Sequence, residues 1–380
     1  MALFKSKQTN KTSEDFFDIW KLVEKYPKIL YYIAFGFRGD GKTYGMLKGV
    51  VKKFYETGEQ MAYVRRWEED IKGAAGLEVF KPIIDSDKNV IEEITKGEYN
   101  DVVYKSRKWY LCHRNEDGEI DNTSDVLGHA FSISNQEKYK SRGYPKVSTI
   151  VLEEFMTSKL YLVNEFVDFM NLVSTIKRRR KDVKIIMLSN SINFSNPYFT
   201  EMGIKRSRDM NPGDFRFYKY GENNDATVLL HFVPKTQRKG ESKVDEYFAF
   251  DNPKLNLMTG DGNWQLEEFP HLTEKYRPKQ VKLKYFIEYD EELVECDIVK
   301  GEKDFFTYIY RRTKELDMNK KDIIFTKRHE PNPRFRHDIM NPYDKIGSVI
   351  KSFFDREKVY YQDNEVGTIV RNFIGDKMKR

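Results

Sequence analysis

The stretch Gly36-Phe37-Arg38-Gly39-Asp40-Gly41-Lys42-Thr43 constrains this chain more than any other, because it fits G-x-x-x-x-G-K-[ST] in the context that motif requires. Ahead of it, Ile29 to Phe35 is almost continuously apolar, as expected of a strand buried on both faces of a parallel sheet. Behind it, Thr43 to Tyr55 reads as a helix. Thr57-Gly58-Glu59 breaks that helix, and Met61 to Val64 reads as a second buried strand ending in Arg65-Arg66. A strand–loop–helix–strand unit of this kind predicts an α/β fold. The glycines let successive backbone N–H groups turn inward around a phosphate, and the following helix aims its N-terminus at the same anion. Gly36, Arg38, Gly39, Asp40, Gly41, Lys42, Thr43 and Tyr44 are therefore the candidate nucleotide-binding residues. Lys42 would reach the β- and γ-phosphates and the Thr43 hydroxyl would bind magnesium, so ATP and Mg2+ are the expected cofactors.

A phosphate loop that hydrolyses needs a second strand delivering carboxylates. Val147 to Leu152 is an apolar run ending in Glu153-Glu154. Glu153 is the candidate metal ligand and Glu154 the candidate general base for water. Two solvated acids at a strand end are the bland alternative. Ile185 to Leu188 then delivers Ser189-Asn190, and Asn190 could sense the γ-phosphate, although Ser-Asn turns also simply cap strands.

The rest of the 380 residues bounds the possibilities. With 39% hydrophobic residues, 24 Tyr and 27 Phe, the chain can bury a sizeable core. Two cysteines, Cys112 and Cys296, exclude a disulfide framework or a four-cysteine zinc site, and both are expected to be buried packing residues in a reducing cytosol. No apolar run approaches the length of a bilayer span, and the N-terminus lacks a signal-peptide core, so neither membrane nor export is expected. The six histidines show no metal-ligand spacing.

A net charge of +6 is informative only where it clusters. Lys177-Arg178-Arg179-Arg180-Lys181 closes a helix whose apolar positions Leu162, Val163, Phe166, Phe169, Met170, Val173 and Ile176 fit a 3.6-residue period. One or two cations there would complement the helix dipole; five suggest phosphate contact, with DNA or with a neighbouring subunit's nucleotide. Lys138, Lys140 and Arg142 form a weaker cluster. Arg65-Arg66 faces the ligand edge expected of such sheets, and a solvated strand end explains them equally well.

Past Asn196-Pro197 the texture changes. Residues 205–278 are rich in Gly, Pro, Asn and charge, with weak periodicity, and read as a linker region with some local structure. From Val281 the sequence alternates cleanly through three strands of an antiparallel meander with one wet face on which Glu295 and Asp297 fall, and two amphipathic helices close the chain. The expected organisation is thus 1–204, 205–278 and 279–380.

Several of these stretches together resemble the DNA-packaging ATPases of small podophages with protein-primed genomes. They are Gly36 to Tyr44, Gly58-Glu59-Gln60 leading to Tyr63-Val64-Arg65-Arg66, Tyr144-Pro145 with Val147 to Val151, Leu188-Ser189-Asn190, Asn196-Pro197-Tyr198-Phe199 and Asp363-Asn364-Glu365-Val366. The resemblance implies an additional-strand, catalytic-glutamate P-loop ATPase domain related to large terminases, then a linker and a vestigial RNase H-like nuclease domain. It also implies a homo-oligomeric ring, a pentamer on the same resemblance. That ring would act in the host cytoplasm at the portal of a procapsid and drive double-stranded DNA inward, with a structural RNA as a further candidate partner. Carried over, Lys42, Thr43, Glu153, Glu154 and Asn190 match the ATPase motifs. Lys140 and one of Arg178, Arg179 and Arg180 match the region supplying cations in trans. Glu153 stands where this family's pattern has Asp.

Two other functions compete. A terminase-like enzyme that also cleaves DNA needs a cluster of acids on central strands of the C-terminal sheet, and the pattern offers no convincing one. A non-hydrolysing, nucleotide-switched adaptor for DNA or capsid would need the loop but not Glu154.

Overall fold

The computed structural model describes residues 5–6, 17–157, 161–190, 194, 196–205, 207–221, 226–235, 269–272, 276–289, 292–312, 322–327, 331–337, 339 and 344–375. Two compact units divide it. The first comprises Met1–Thr157, Asn164–Phe194 and Ile204–Trp264; the second comprises Ser158–Val163, Ser195–Gly203 and Gln265–Arg380.

The first unit is a ten-stranded mixed sheet. In chain order its strands are β1 (Lys5–Ser6), β2 (Tyr31–Gly36), β3 (Gln60–Arg65), β4 (Asp101–Lys105), β5 (Lys108–Arg114), β6 (Ile120–Ser132), β7 (Val147–Glu153), β8 (Lys184–Ser189), β9 (Phe215–Tyr220) and β10 (Ala226–Val233). They lie in the order β1-β9-β10-β2-β8-β7-β3-β6-β5-β4. The central six, β10 to β6, are parallel throughout; the two flanks are antiparallel. β2, β7 and β8 are buried along nearly their whole length, which is why their sequences are continuous apolar runs rather than alternations. The helices of this unit are α1 (Trp20–Lys25), α2 (Lys42–Thr57), α3 (Ala74–Glu78), α4 (Lys81–Ile84), α5 (Val90–Thr95) and α6 (Glu165–Lys177). α2 buries Met46, Leu47, Val50, Val51 and Phe54 into one core with Tyr32, Tyr63 and Trp109, and Gly58 caps it with φ +72°.

Two sequence expectations change here. The first part of the stretch read as linker supplies β9 and β10, and β10 runs parallel to β2, beside the strand that carries the phosphate loop. The Gly- and charge-rich flanks concealed Val228, Leu229, Leu230 and Phe232, all buried. Residues 236–268 of that stretch lie outside the described residues. α6 begins at Glu165, so Leu162 and Val163 precede it.

In the second unit α7 (Pro197–Glu201) is capped by the Asn196 side chain, which accepts from the Phe199 N–H at 2.9 Å. Six strands follow: β11 (Val281–Tyr289), β12 (Glu292–Lys300), β13 (Phe305–Arg311), β14 (Ile323–Thr326), β15 (Phe335–Arg336) and β16 (Val359–Tyr361), in the order β15-β14-β11-β12-β13-β16. The antiparallel meander β11-β12-β13 is present as expected, and β14 joins β11 in parallel. Helices α8 (Lys345–Asp355) and α9 (Asn364–Gly375) bury Ile350, Val366, Ile369, Val370 and Phe373 against Tyr285, Ile287, Cys296 and Ile309. The expected wet face is not wet at its centre, since Glu295 and Asp297 of β12 are 7% and 3% exposed. Cys112 and Cys296 are buried and burial raises both thiol pKa values, Cys112 to about 11, so both are packing residues. Among the described residues no helix is long and apolar enough to cross a membrane, and no three His, Cys, Asp or Glu side chains form a metal cluster.

Candidate functional site

The register of the parallel strands assembles the site at one edge of the sheet. Phe35 of β2 pairs with Ser189 of β8, and Leu188 pairs with Glu153 of β7, so the phosphate loop, Asn190 and the two acids all emerge together. This is the carboxyl edge of the parallel strands, where open α/β sheets bind ligands. β8 stands between the loop strand β2 and the acid strand β7.

Gly36 ends β2 and Gly41 is the N-cap of α2. Gly39 and Gly41 have φ of +90° and +78°, values that L side chains rarely adopt, and they turn the loop back on itself. Arg38 is exposed at the crest, while Asp40 is buried. Lys42 is 2% exposed; its Nζ donates to the Phe37 carbonyl and lies 3.8 Å from an Asp40 carboxylate oxygen. Burial lowers the Lys42 pKa to about 8, against the raising influence of Asp40, Glu154 and Glu153. Tyr44 packs its ring against the hydrophobic core of α2 rather than standing free over the loop.

Glu153 is 5% exposed and accepts two hydroxyl hydrogen bonds, Thr43 Oγ1 on one carboxylate oxygen and Tyr63 OH on the other. Burial and the neighbouring Glu153 charge hold the Tyr63 phenol well above its ordinary pKa, so it remains a donor. Arg65 Nη1 lies 3.9 Å from the same carboxylate, and Arg65 Nε lies 3.4 Å from Asp70. A hydroxyl and a carboxylate side by side, with no nitrogen or sulfur, are the oxygen donors that suit Mg2+, which usually takes only one or two protein ligands beside substrate phosphates.

Glu154 follows in the left-handed region at φ +57°. Its N–H donates to the Leu188 carbonyl at 2.8 Å, and Asn190 Nδ2 donates to its carboxylate at 2.8 Å. Burial raises the Glu154 pKa, and Glu153 raises it further, over the opposing pull of Arg65, Asn190 and Lys42. A carboxylate so shifted is a stronger base than a solvated one.

Tyr63 and Glu165 were not among the sequence candidates for this site, and Arg65-Arg66, left open between the ligand edge and a solvated strand end, lie at the ligand edge. Arg66 is 7% exposed, so it is no solvated strand end. Its Nε pairs with Glu165 at 2.7 Å, and its two Nη atoms donate to the carbonyls of Glu154 at 3.2 Å and Phe155 at 2.9 Å. The Arg65-Arg66 doublet was the available signal, and its partner Glu165 lies 99 residues away.

The basic cluster lies elsewhere. Arg180 donates to the carbonyls of Pro145, Val147, Tyr144 and Ile176, at the amino end of β7. Glu153 ends that strand roughly 20 Å away. Arg180 therefore ties the end of α6 to the strand, and its guanidinium is taken up by main chain. Arg178, in the left-handed region at φ +49°, donates to the Arg142 carbonyl at 2.9 Å; Arg179 is exposed; Lys140 is exposed and pairs with Glu137 at 2.5 Å. The three arginines lie away from the phosphate loop of their own chain, while Lys140 closes the 3-10 turn that follows β6.

Comparison with known proteins follows the same lines. The profile of the podovirus DNA encapsidation protein (Gp16) family matches residues 14–211, just over half of the chain. The chain belongs to that family. The DNA packaging protein of Bacillus phage phi29 is 34% identical over 179 residues, 46% of either chain, and that of Bacillus phage B103 is 31% identical over 182 residues, 47% of this chain and 49% of the other. The chain thus aligns with about half the length of these encapsidation relatives. Two solved structures share the fold over nearly the whole chain. The Phi-28 gp11 DNA packaging motor has a TM-score of 0.53 at 19% identity, covering 95% of this chain and 97% of its own. The bacteriophage Phi-29 viral genome packaging motor assembly has a TM-score of 0.53 at 21% identity, covering 94% and 96%.

Proposed function

We propose that this protein is an ATP-driven double-stranded DNA translocase that packages a phage genome into a procapsid as a homo-oligomeric ring at the portal, in the host cytoplasm. The observation that carries the reading is the convergence at one sheet edge of Lys42 and Thr43 with Glu153, Glu154 and Asn190. The names of the relatives, a DNA packaging protein and a viral genome packaging motor assembly, support the biological role. The interposed strand β8 supports the additional-strand ATPase class.

In the mechanism proposed, the loop N–H groups and Lys42 bind the β- and γ-phosphates of ATP. Thr43 and Glu153 would hold Mg2+, which when bound neutralises charge on those phosphates. Tyr63 keeps the Glu153 carboxylate in place through its hydroxyl. Glu154 takes the proton of the attacking water, and Asn190, bonded to Glu154, reports whether a γ-phosphate is present. Arg178 and Arg179, far from the site of their own chain, are disposed to serve a neighbour's nucleotide or the DNA backbone, and exposed Lys140 is a further candidate for the same role. Of the three arginines Arg178 and Arg179 are exposed, and Arg180, half-buried with its guanidinium on main-chain carbonyls, is the least suited.

For the second unit we propose a vestigial nuclease. An antiparallel meander β11-β12-β13, with parallel strands β14 and β15 added beside the first strand, is the strand order of an RNase H-like fold. Its buried acids Glu295 and Asp297 are engaged by Lys284 at 2.5 and 3.2 Å, and Glu295 also by Arg312 at 2.5 Å. Cations thus occupy the position that metals would need, which supports packaging without cleavage.

The test is steady-state ATP hydrolysis across protein concentration, with and without double-stranded DNA, beside Lys42→Ala. Turnover that needs Lys42, rises with DNA and grows faster than linearly with protein is expected of a motor with shared sites. DNA binding should weaken steeply with salt. Intact ATP binding with no turnover, even on procapsids, would favour the switch reading.

A further inference from the structure

Resting on Glu154 as the base, we propose that Arg66, with Glu165 as its fixed counterion, is a positioning residue that sets the reactive geometry of Glu154 through its main chain. Glu154 is an L residue at φ +57°, a conformation disfavoured unless its surroundings hold it. Those surroundings are specific. The Glu154 N–H is held by Leu188 and its carboxylate by Asn190. The remaining polar group of the turn, the carbonyl of Glu154, is held by Arg66 together with the carbonyl of Phe155. Two carbonyls and a carboxylate engaged at once suit the planar, multi-donor fork of a guanidinium, which an ammonium cannot reproduce.

Glu165 makes this fork rigid. It is the first residue of α6 and 1% exposed, so the ion pair is desolvated and its geometry is fixed by packing on both sides. A buried arginine that served only stability would need a counterion but not the two carbonyls of the turn bearing the base. Here three elements meet at one guanidinium: the end of β3, the turn after β7 and the start of α6.

The experiment uses the full chain with DNA and compares Arg66→Lys and Glu165→Gln with wild type. Arg66→Lys is expected to lower kcat by about 10- to 100-fold while leaving KM for ATP and the dissociation constant of a fluorescent ATP analogue within about twofold. In a Glu154→Gln background the same substitution should have no further effect on residual hydrolysis, because Arg66 acts only through Glu154. Multiplicative losses in the double variant, or nucleotide binding lost in step with kcat, would overturn the proposal. Should Arg66→Lys not fold, Glu165→Gln, which preserves shape and an acceptor for Nε, is read in the same way. Retention of turnover by Glu154→Gln alone would instead overturn the base assignment, leaving the two failures distinct.

Discussion

Each unit sets a pair of acids on or just past a central strand, and the two pairs are given different partners. Glu153 and Glu154 are consecutive, at and just past the end of β7, and their side-chain hydrogen bonds come from Thr43, Tyr63 and Asn190, all neutral donors, with the cation of Arg65 farther off at 3.9 Å from Glu153. Glu295 and Asp297 are two residues apart on one face of β12, and Lys284 and Arg312 bind them directly. Neutral donors hold a carboxylate in place without cancelling its charge, so it can still attract a cation or accept a proton. Direct cations cancel it. Burial alone therefore does not mark a reactive acid; the charge of its partners does.

The largest expected contrast is in catalysis. Glu154→Gln should lower ATP turnover by about 10²- to 10⁴-fold with ATP binding retained, the range for loss of a general base. Glu295→Gln should leave turnover within about twofold. If Glu295→Gln abolished hydrolysis, or Glu154→Gln did not, the comparison between the pairs would fail.

A smaller effect is expected in stability. Lys284→Ala leaves Glu295 and Asp297 with less compensation, and because Lys284 is half-exposed the cost should be about 1–2 kcal/mol, read as a lower urea midpoint for the second unit. The same truncation made together with Asp297→Asn should cost less than the sum of the two separate changes.

The smallest and most telling difference is in pH dependence. Burial works to raise the Glu295 pKa, but Lys284, Tyr310 and Arg312 outweigh it and hold the group below its ordinary value. Its contribution to stability is present at neutral pH and is lost as pH falls through the depressed value. Glu154 is raised, so its charged form burdens the folded state at neutral pH and acidification relieves that burden. Glu154→Gln should therefore stabilise, most at neutral pH, and Glu295→Gln should destabilise, with both differences fading on acidification. Parallel slopes for the two variants would contradict the assignment of opposite environments.

Much of the first pair was legible in the sequence because it depends on local pattern. An apolar run of strand length ending in two acids, and a glycine loop between strand and helix, carry their own geometry. What could not be read depends on long-range meeting. Arg66 and Glu165, 99 positions apart, look like an ordinary strand end and an ordinary first helical turn until register brings them together. Tyr63 reads simply as a buried strand residue. Arg180 reads as one of five similar cations, although packing gives it four carbonyls and Lys177 and Arg178 one each. β9 and β10 were hidden by polar flanks that diluted a short apolar run. In the second unit alternation predicted the meander correctly, but periodicity reports which residues share a face and not whether that face is covered, so Glu295 and Asp297 were placed in water.

α6 has a consequence for timing. It starts at Glu165, on the guanidinium that holds the Glu154 turn, and ends at Lys177, just before Arg178 and Arg179, roughly 20 Å away. If those arginines engage the next subunit, news of one hydrolysis event is delivered at one end of a stiff rod and received from another subunit's rod at the other. Signals around such a ring would travel in one rotational sense, and the firing order of the subunits would follow from the direction in which a single helix points.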